Sequence, residues 1–233
     1  MNMHRMRRIA AGLGVDQFGI ADLDRAREAI REQGGEAVSG YRFAVSLGIS
    51  LPDTVVDLLL DRAQRAVRMS YRHHAYDVIN QRLDEAASRI AGHLQASGWK
   101  ALPVSASRTV DDERLRGIFS HKLAARLAGL GWIGKCCLLI TPSRGPRMRW
   151  ATVLTNAVLR PATRMLDDGC GECSQCVDIC PAKAFTGRQF VESEPREIRF
   201  DAHKCERYMK GLEDADGRGV CGLCLYVCPY GRD

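Results

Sequence analysis

The chain has 233 residues, 45% hydrophobic and 27% charged, with 34 Lys and Arg against 28 Asp and Glu, and 10 cysteines. That length holds one large domain, or a medium one with a small appendage. No apolar run approaches the roughly 20 residues of a membrane span. The cysteines lie at ligand spacings without a secretory signal, which argues against a disulfide scaffold and for a soluble cytoplasmic protein.

Residues 4–14 and 24–33 carry helical spacing, with a short strand over Phe18–Leu23 between them. Arg7-Arg8 ahead of Ile9–Val15 resembles a twin-arginine export signal. However, Gly12 and Gly14 break the apolar run, Asp16 ends it and no cleavage site follows, so an amphipathic first helix is expected. After the Gly34-Gly35 break, Tyr41–Ile49 reads as a central strand. A helix begins after Pro52 with Asp53 in its first turn, and a longer one is expected over 70–96, ending at Gly98. His73 and His74 on that helix suit a surface or capping role, the alternative being that one faces a cofactor. Trp99–Ala106 is a strand candidate and Ser120–Leu130 a helix closed by Gly131. Cys136–Ile140 and Trp150–Val158 are the two most hydrophobic strand candidates.

Strand neighbours face opposite ways, so at most one of Cys136 and Cys137 could meet a cofactor there; otherwise both pack as small hydrophobes. Lys135, between Gly134 and that strand, is either a solvated charge or a contact to an anionic or amide group of a cofactor. Strands and helices mix without a regular βαβ repeat, which favours an α+β fold. No dinucleotide fingerprint, P-loop, serine triad or metalloprotease signature is present, so the sequence supports no nucleotide cofactor.

Cys170, Cys173, Cys176 and Cys180 precede Pro181 in the spacing C-x2-C-x2-C-x3-C-P, and Cys205, Cys221, Cys224 and Cys228 precede Pro229. Three cysteines at i, i+3 and i+6 wrap three corners of a [4Fe–4S] cubane, while the fourth reaches across to the partner cluster. The expected sets are therefore Cys170, Cys173, Cys176 and Cys228 for one cluster, and Cys180, Cys205, Cys221 and Cys224 for the other. A zinc site would use two separated C-x2-C pairs and gives no reason for the third cysteine or the prolines. With each oxidised cluster at about −2, the formal charge of +6 falls to about +2, too little to argue a nucleic-acid partner. The cysteine-rich region is poor in large apolar residues, so its clusters would act as its core. Two domains are expected, 1–160 and 161–233, joined at Arg160–Arg164.

Gly129-Leu130-Gly131-Trp132-Ile133-Gly134-Lys135, followed by Leu138-Leu139-Ile140 and by the cysteine arrangement ending Cys228-Pro229, resembles the epoxyqueuosine reductase family, relatives of the reductive dehalogenases. The resemblance implies a nitroreductase-like, cobalamin-binding α+β domain followed by a two-cluster ferredoxin-like domain. It also implies reduction of a substrate through low-valent cobalt fed by the clusters, with an external low-potential electron donor. The family's acid, in an Asp-Ser-x-Pro segment ahead of the motif, would fall here at Leu115 or Arg116, and its Asn-Thr after the lysine is Cys136-Cys137. His121 is therefore the candidate proton donor, with Asp111 and Asp112 in reserve. Arg207 and Tyr208, just after Cys205, fall where the family faces its corrinoid. The chain stops at Asp233, where full-length members continue into a helical-repeat region that holds tRNA. The expectation is chemistry of the same type on a small molecule or modified nucleoside, not necessarily on tRNA. The alternatives are a ferredoxin-type electron carrier, or a corrinoid reductase serving a partner enzyme.

Overall fold

The computed structural model describes residues 3–213 and 219–232. Its strands are β1 (Gln17–Asp22), β2 (Phe43–Ser50), β3 (Ala101–Val104), β4 (Trp132–Ile133), β5 (Leu139–Ile140) and β6 (Met148–Thr155). The architecture is mixed α/β and falls into two compact units. One comprises Met1–Ile49, Ile79–Trp132 and Arg149–Leu166; the other comprises Ser50–Val78, Ile133–Met148 and Asp167–Asp233. Compactness thus divides the chain differently from the expected cut at 160/161, because two earlier segments fold with the cysteine-rich one.

The first unit is built on a four-stranded sheet in the order β1-β2-β6-β3. β1 runs antiparallel to β2, with Ile20 opposite Val45, and β3 antiparallel to β6, with Leu102 opposite Leu154. Every residue of β2 from Phe43 to Ile49 is buried, which explains its run of apolar and small side chains. The helix Ile79–Ala96 turns Leu83, Ala87, Ile90 and Leu94 inward at helical spacing and packs on β3 and on the helix Met3–Gly12. The helix His121–Leu127 packs on β1, its Leu123, Ala124 and Leu127 joining Ala21, Ala44, Ile30 and Leu154 in one core. Ser120 caps it, its hydroxyl accepting from the Leu123 amide at 3.3 Å. The helix stops short of Gly131 because Gly129 takes φ +71 and the Leu130 amide bonds back to Ala125.

In the second unit, Arg147 is only 2% exposed and bridges Asp53 at 3.1 Å and Asp57 at 2.7 Å, tying Asp53–Asp57 to the segment before β6. A buried guanidinium is tolerable because both carboxylates face it. The helix expected over 70–96 is three pieces: Arg65–Arg72, a π-helical turn over His73–Val78, and Ile79–Ala96. Cys136 and Cys137 are not on a strand. The Cys137 amide bonds to the Gly134 carbonyl at 2.8 Å and Cys137 takes φ +56, a turn that leaves only Leu139–Ile140 to pair with β4. No helix among the described residues is long and apolar enough to cross a membrane.

Candidate iron–sulfur site

The first cysteine loop is shaped locally. The Asp168 carboxylate accepts from the Cys170 amide at 2.8 Å, and the Cys173 amide folds back to the Cys170 carbonyl at 2.9 Å. Lys135 Nζ donates to the carbonyls of Gly171 at 2.6 Å and Cys173 at 3.1 Å, stapling the loop from outside. Gly134 lies beneath it: a β-carbon there would stand 3.2 Å from Cys170 Sγ and 2.8 Å from Ile140 Cγ1. The motif's last two residues therefore serve the loop directly, the glycine by leaving room and the lysine by binding it.

Two further contacts bring distant cysteines in. Tyr230 Oη donates to the Gly169 carbonyl at 2.8 Å, and a β-carbon on Gly145 would collide with the Tyr230 carbonyl, so the chain end is held against the start of the first motif. This carries Cys228 to Cys170. A short antiparallel ribbon does the same for Cys205. The Thr186 amide bonds to Arg199 at 3.1 Å, the Asp201 amide to Ala184 at 2.9 Å, and Phe185 stacks on Phe200 at 5.1 Å. Asp201 then caps the helix Ala202–Lys210 that carries Cys205, accepting from the Lys204 amide at 2.9 Å.

The thiols' mutual influence reports who is near whom. Burial, then the charges of Cys170, Cys176 and Cys173, pushes Cys228 up to about 11. Burial, then Cys221 and Cys180, pushes Cys205 up to about 11, and Cys224 is raised further by burial with Cys221 and Cys205. Buried thiols that repel one another this way need a cation to stabilise them as thiolates. None of the ten cysteines is in a disulfide, and among the described residues no three Cys, His, Asp or Glu side chains converge on a single-ion site. One contact has no sequence signal. Arg62 hydrogen-bonds the Cys221 sulfur and donates to Tyr208 Oη at 2.9 Å across 146 positions.

Lys135 is committed to the loop carbonyls, Tyr208 to Arg62, and Arg207 is exposed. His121 has both ring nitrogens engaged, Nε2–H donating to the Ser105 carbonyl at 3.0 Å and Nδ1 accepting from Thr152 Oγ1 at 2.9 Å. Burial lowers its pKa to about 4, so near neutral pH it is a neutral imidazole and not the cation expected of a proton donor. Asp111 accepts from the Arg114 amide at 2.9 Å and pairs with Arg116 at 3.0 Å. These bonds, the Arg114 amide first, hold it below the usual carboxylate range and leave it ionised at pH 7. Asp112 is exposed. His73 lies 3.7 Å from Asp77 on an exposed face, and His74 Nε2 is buried with no hydrogen-bond partner among the described residues.

His121 gives a pH prediction. Its folded pKa of about 4 is below the ordinary 6.5, so the unfolded state binds the proton first as pH falls. Local stability should be full above pH 6.5 and fall progressively toward pH 4. Protection of the amides in His121–Leu127, taken relative to intrinsic exchange at each pH, should fall more between pH 7 and pH 5 in the wild type than in His121→Gln. An equal fall in the two would contradict this placement.

The 4Fe-4S double cluster binding domain family matches residues 169–231. An epoxyqueuosine reductase from Pseudomonas aeruginosa is 30% identical over 98% of this chain and 61% of its own length. Among solved structures, a catabolic reductive dehalogenase in complex with 3-bromo-4-hydroxybenzoic acid matches with a TM-score of 0.71 at 22% identity, over 98% of this chain and 31% of that one. An epoxyqueuosine reductase with an epoxyqueuosine-modified tRNA-Tyr stem loop matches with a TM-score of 0.65 at 19% identity, over 98% and 64%. At such identities the two structures speak to fold alone. The chain spans less than two thirds of each of these relatives.

Proposed function

The chain belongs to the epoxyqueuosine reductase-like family of iron–sulfur proteins, and from that premise we propose that it is a reductase that passes electrons through two [4Fe–4S] clusters to a cobalamin. What supports the reading is the double-cluster family match over residues 169–231, together with the nearness of Cys228 to Cys170, Cys173 and Cys176 and of Cys205 to Cys180 and Cys221. When bound, the clusters supply one-electron centres of low potential. The chain's own residues divide the rest. Cys170, Cys173, Cys176 and Cys228 would hold one cluster, and Cys180, Cys205, Cys221 and Cys224 the other. Lys135 fixes the first loop, and Arg62 puts a cation on the Cys221 sulfur.

Cobalamin enters through the resemblance, and bound there it would supply a metal that takes up electrons singly. Of the residues singled out for it, Lys135 is engaged with the loop carbonyls and Tyr208 with Arg62, both within the cluster unit. That same engagement favours a second reading, an iron–sulfur electron carrier or a corrinoid reductase for a partner enzyme. In the first reading the partners are an external low-potential donor and a small-molecule or modified-nucleoside substrate, met in the cytoplasm.

Titrating cobalamin into anaerobic, cluster-loaded protein separates the readings. A shift in the corrinoid's visible spectrum and co-elution of cobalt with protein are expected. Absence of both, with iron and sulfide present, would hand the function to the second reading.

A further inference from the structure

Cys136 is a ninth thiol at the cluster site and is not among the eight ligand positions. It is 5% exposed and sits in the reverse turn closed by the Gly134–Cys137 hydrogen bond. Its side chain hydrogen-bonds that of Cys176, and Cys224 lies near enough to act on it electrostatically. Cys136 is therefore at the seam between the two ligand sets, touching a member of one and neighbouring a member of the other. Its sequence neighbour is placed differently, Cys137 Sγ meeting the buried Arg199 at 3.9 Å. Gly134 and Lys135 already fix this turn against the Cys170–Cys173 loop, so the Cys136 sulfur has little freedom to leave Cys176.

Two sulfurs in contact need one hydrogen between them. A Cys176 sulfur bound to iron carries none, so in this hydrogen bond the donor can only be Cys136. Hydrogen bonds to cluster sulfurs are among the factors that set the reduction potential, because they stabilise the more negative, reduced state. We propose that Cys136 is a positioning residue for the cluster held by Cys170, Cys173, Cys176 and Cys228, donating S–H to the Cys176 sulfur and raising that cluster's reduction potential. The inference rests on the two-cluster reading above.

Wild type, Cys136→Ala and Cys136→Ser should be reconstituted anaerobically, assayed for iron and sulfide, and titrated potentiometrically with electron paramagnetic resonance detection. All three should hold about eight iron atoms per chain. In Cys136→Ala one of the two midpoint potentials should move down while the other moves much less. Cys136→Ser, whose hydroxyl can donate from the same place, should return it toward the wild-type value. Unmoved midpoints in Cys136→Ala at full iron would overturn the proposal and leave the thiol as packing. Loss of about half the iron in that variant would overturn it too, by making Cys136 a ligand. Failure of the two-cluster reading shows separately, as wild-type protein without the iron.

Discussion

Replacing Cys228 with serine should remove iron from the cluster of Cys170, Cys173 and Cys176, which lie more than fifty positions away in sequence, and spare the cluster of its near neighbours Cys221 and Cys224. The contacts that dictate this are concrete. Tyr230 is bonded to Gly169 and pressed against Gly145, so the Cys228 sulfur arrives beside the first loop. Of the roughly eight iron atoms expected per chain, about four should be lost. Cys205→Ser should lose the complementary four, because the 184–186 and 199–201 ribbon delivers Cys205 to Cys180. The check is iron analysis with electron paramagnetic resonance on both variants, each keeping the signal the other has lost. If Cys228→Ser and Cys221→Ser were to empty the same cluster, the crosswise pairing would be wrong.

The cysteine spacing was informative because a cubane imposes it through geometry within one tight loop, a purely local constraint. The strands expected over Phe18–Leu23 and Tyr41–Ile49, found at Gln17–Asp22 and Phe43–Ser50, and the helix expected from Ser120, found at His121–Leu127, were legible for the same local reason. What escaped was set by distance. Nothing in the sequence pairs Asp53 and Asp57 with Arg147, yet those ion pairs tie 50–78 to 133–148 within the second unit. Nothing pairs Arg62 with Tyr208 either. The apolar run Cys136–Ile140 read as a strand because hydrophobicity carries no sign of a turn, whereas the close packing at Gly134 and the positive φ at Cys137 demand one. His121 was a candidate acid on the strength of the free imidazole's pKa. Ser105 and Thr152, neither adjacent in sequence, engage both ring nitrogens, and burial lowers the ring's pKa to about 4.

Stripping the iron should unfold the cysteine-rich segment and leave the first unit standing. Within 167–232 the buried apolar side chains are few among the described residues: Cys180, Ala184, Val220 and Leu223. The helices Gln175–Asp178 and Ala202–Lys210 bury none of their residues, and helices of that length are marginal in water without packing. The loops are instead held by hydrogen bonds around thiols that repel each other when ionised, so the clusters must supply the missing cohesion. The first unit has a core of its own, running through Ala21, Ile30, Ala44, Leu123, Leu127 and Leu154. Amide exchange read by peptide before and after anaerobic chelation should show protection collapsing over 170–230 and persisting in β2 and β6. Reloading should then be favoured at higher pH, because Cys205 and Cys228 at about 11 must give up protons to bind iron. Protection over 170–230 that survives complete loss of iron would mean that the segment has a source of stability other than its clusters.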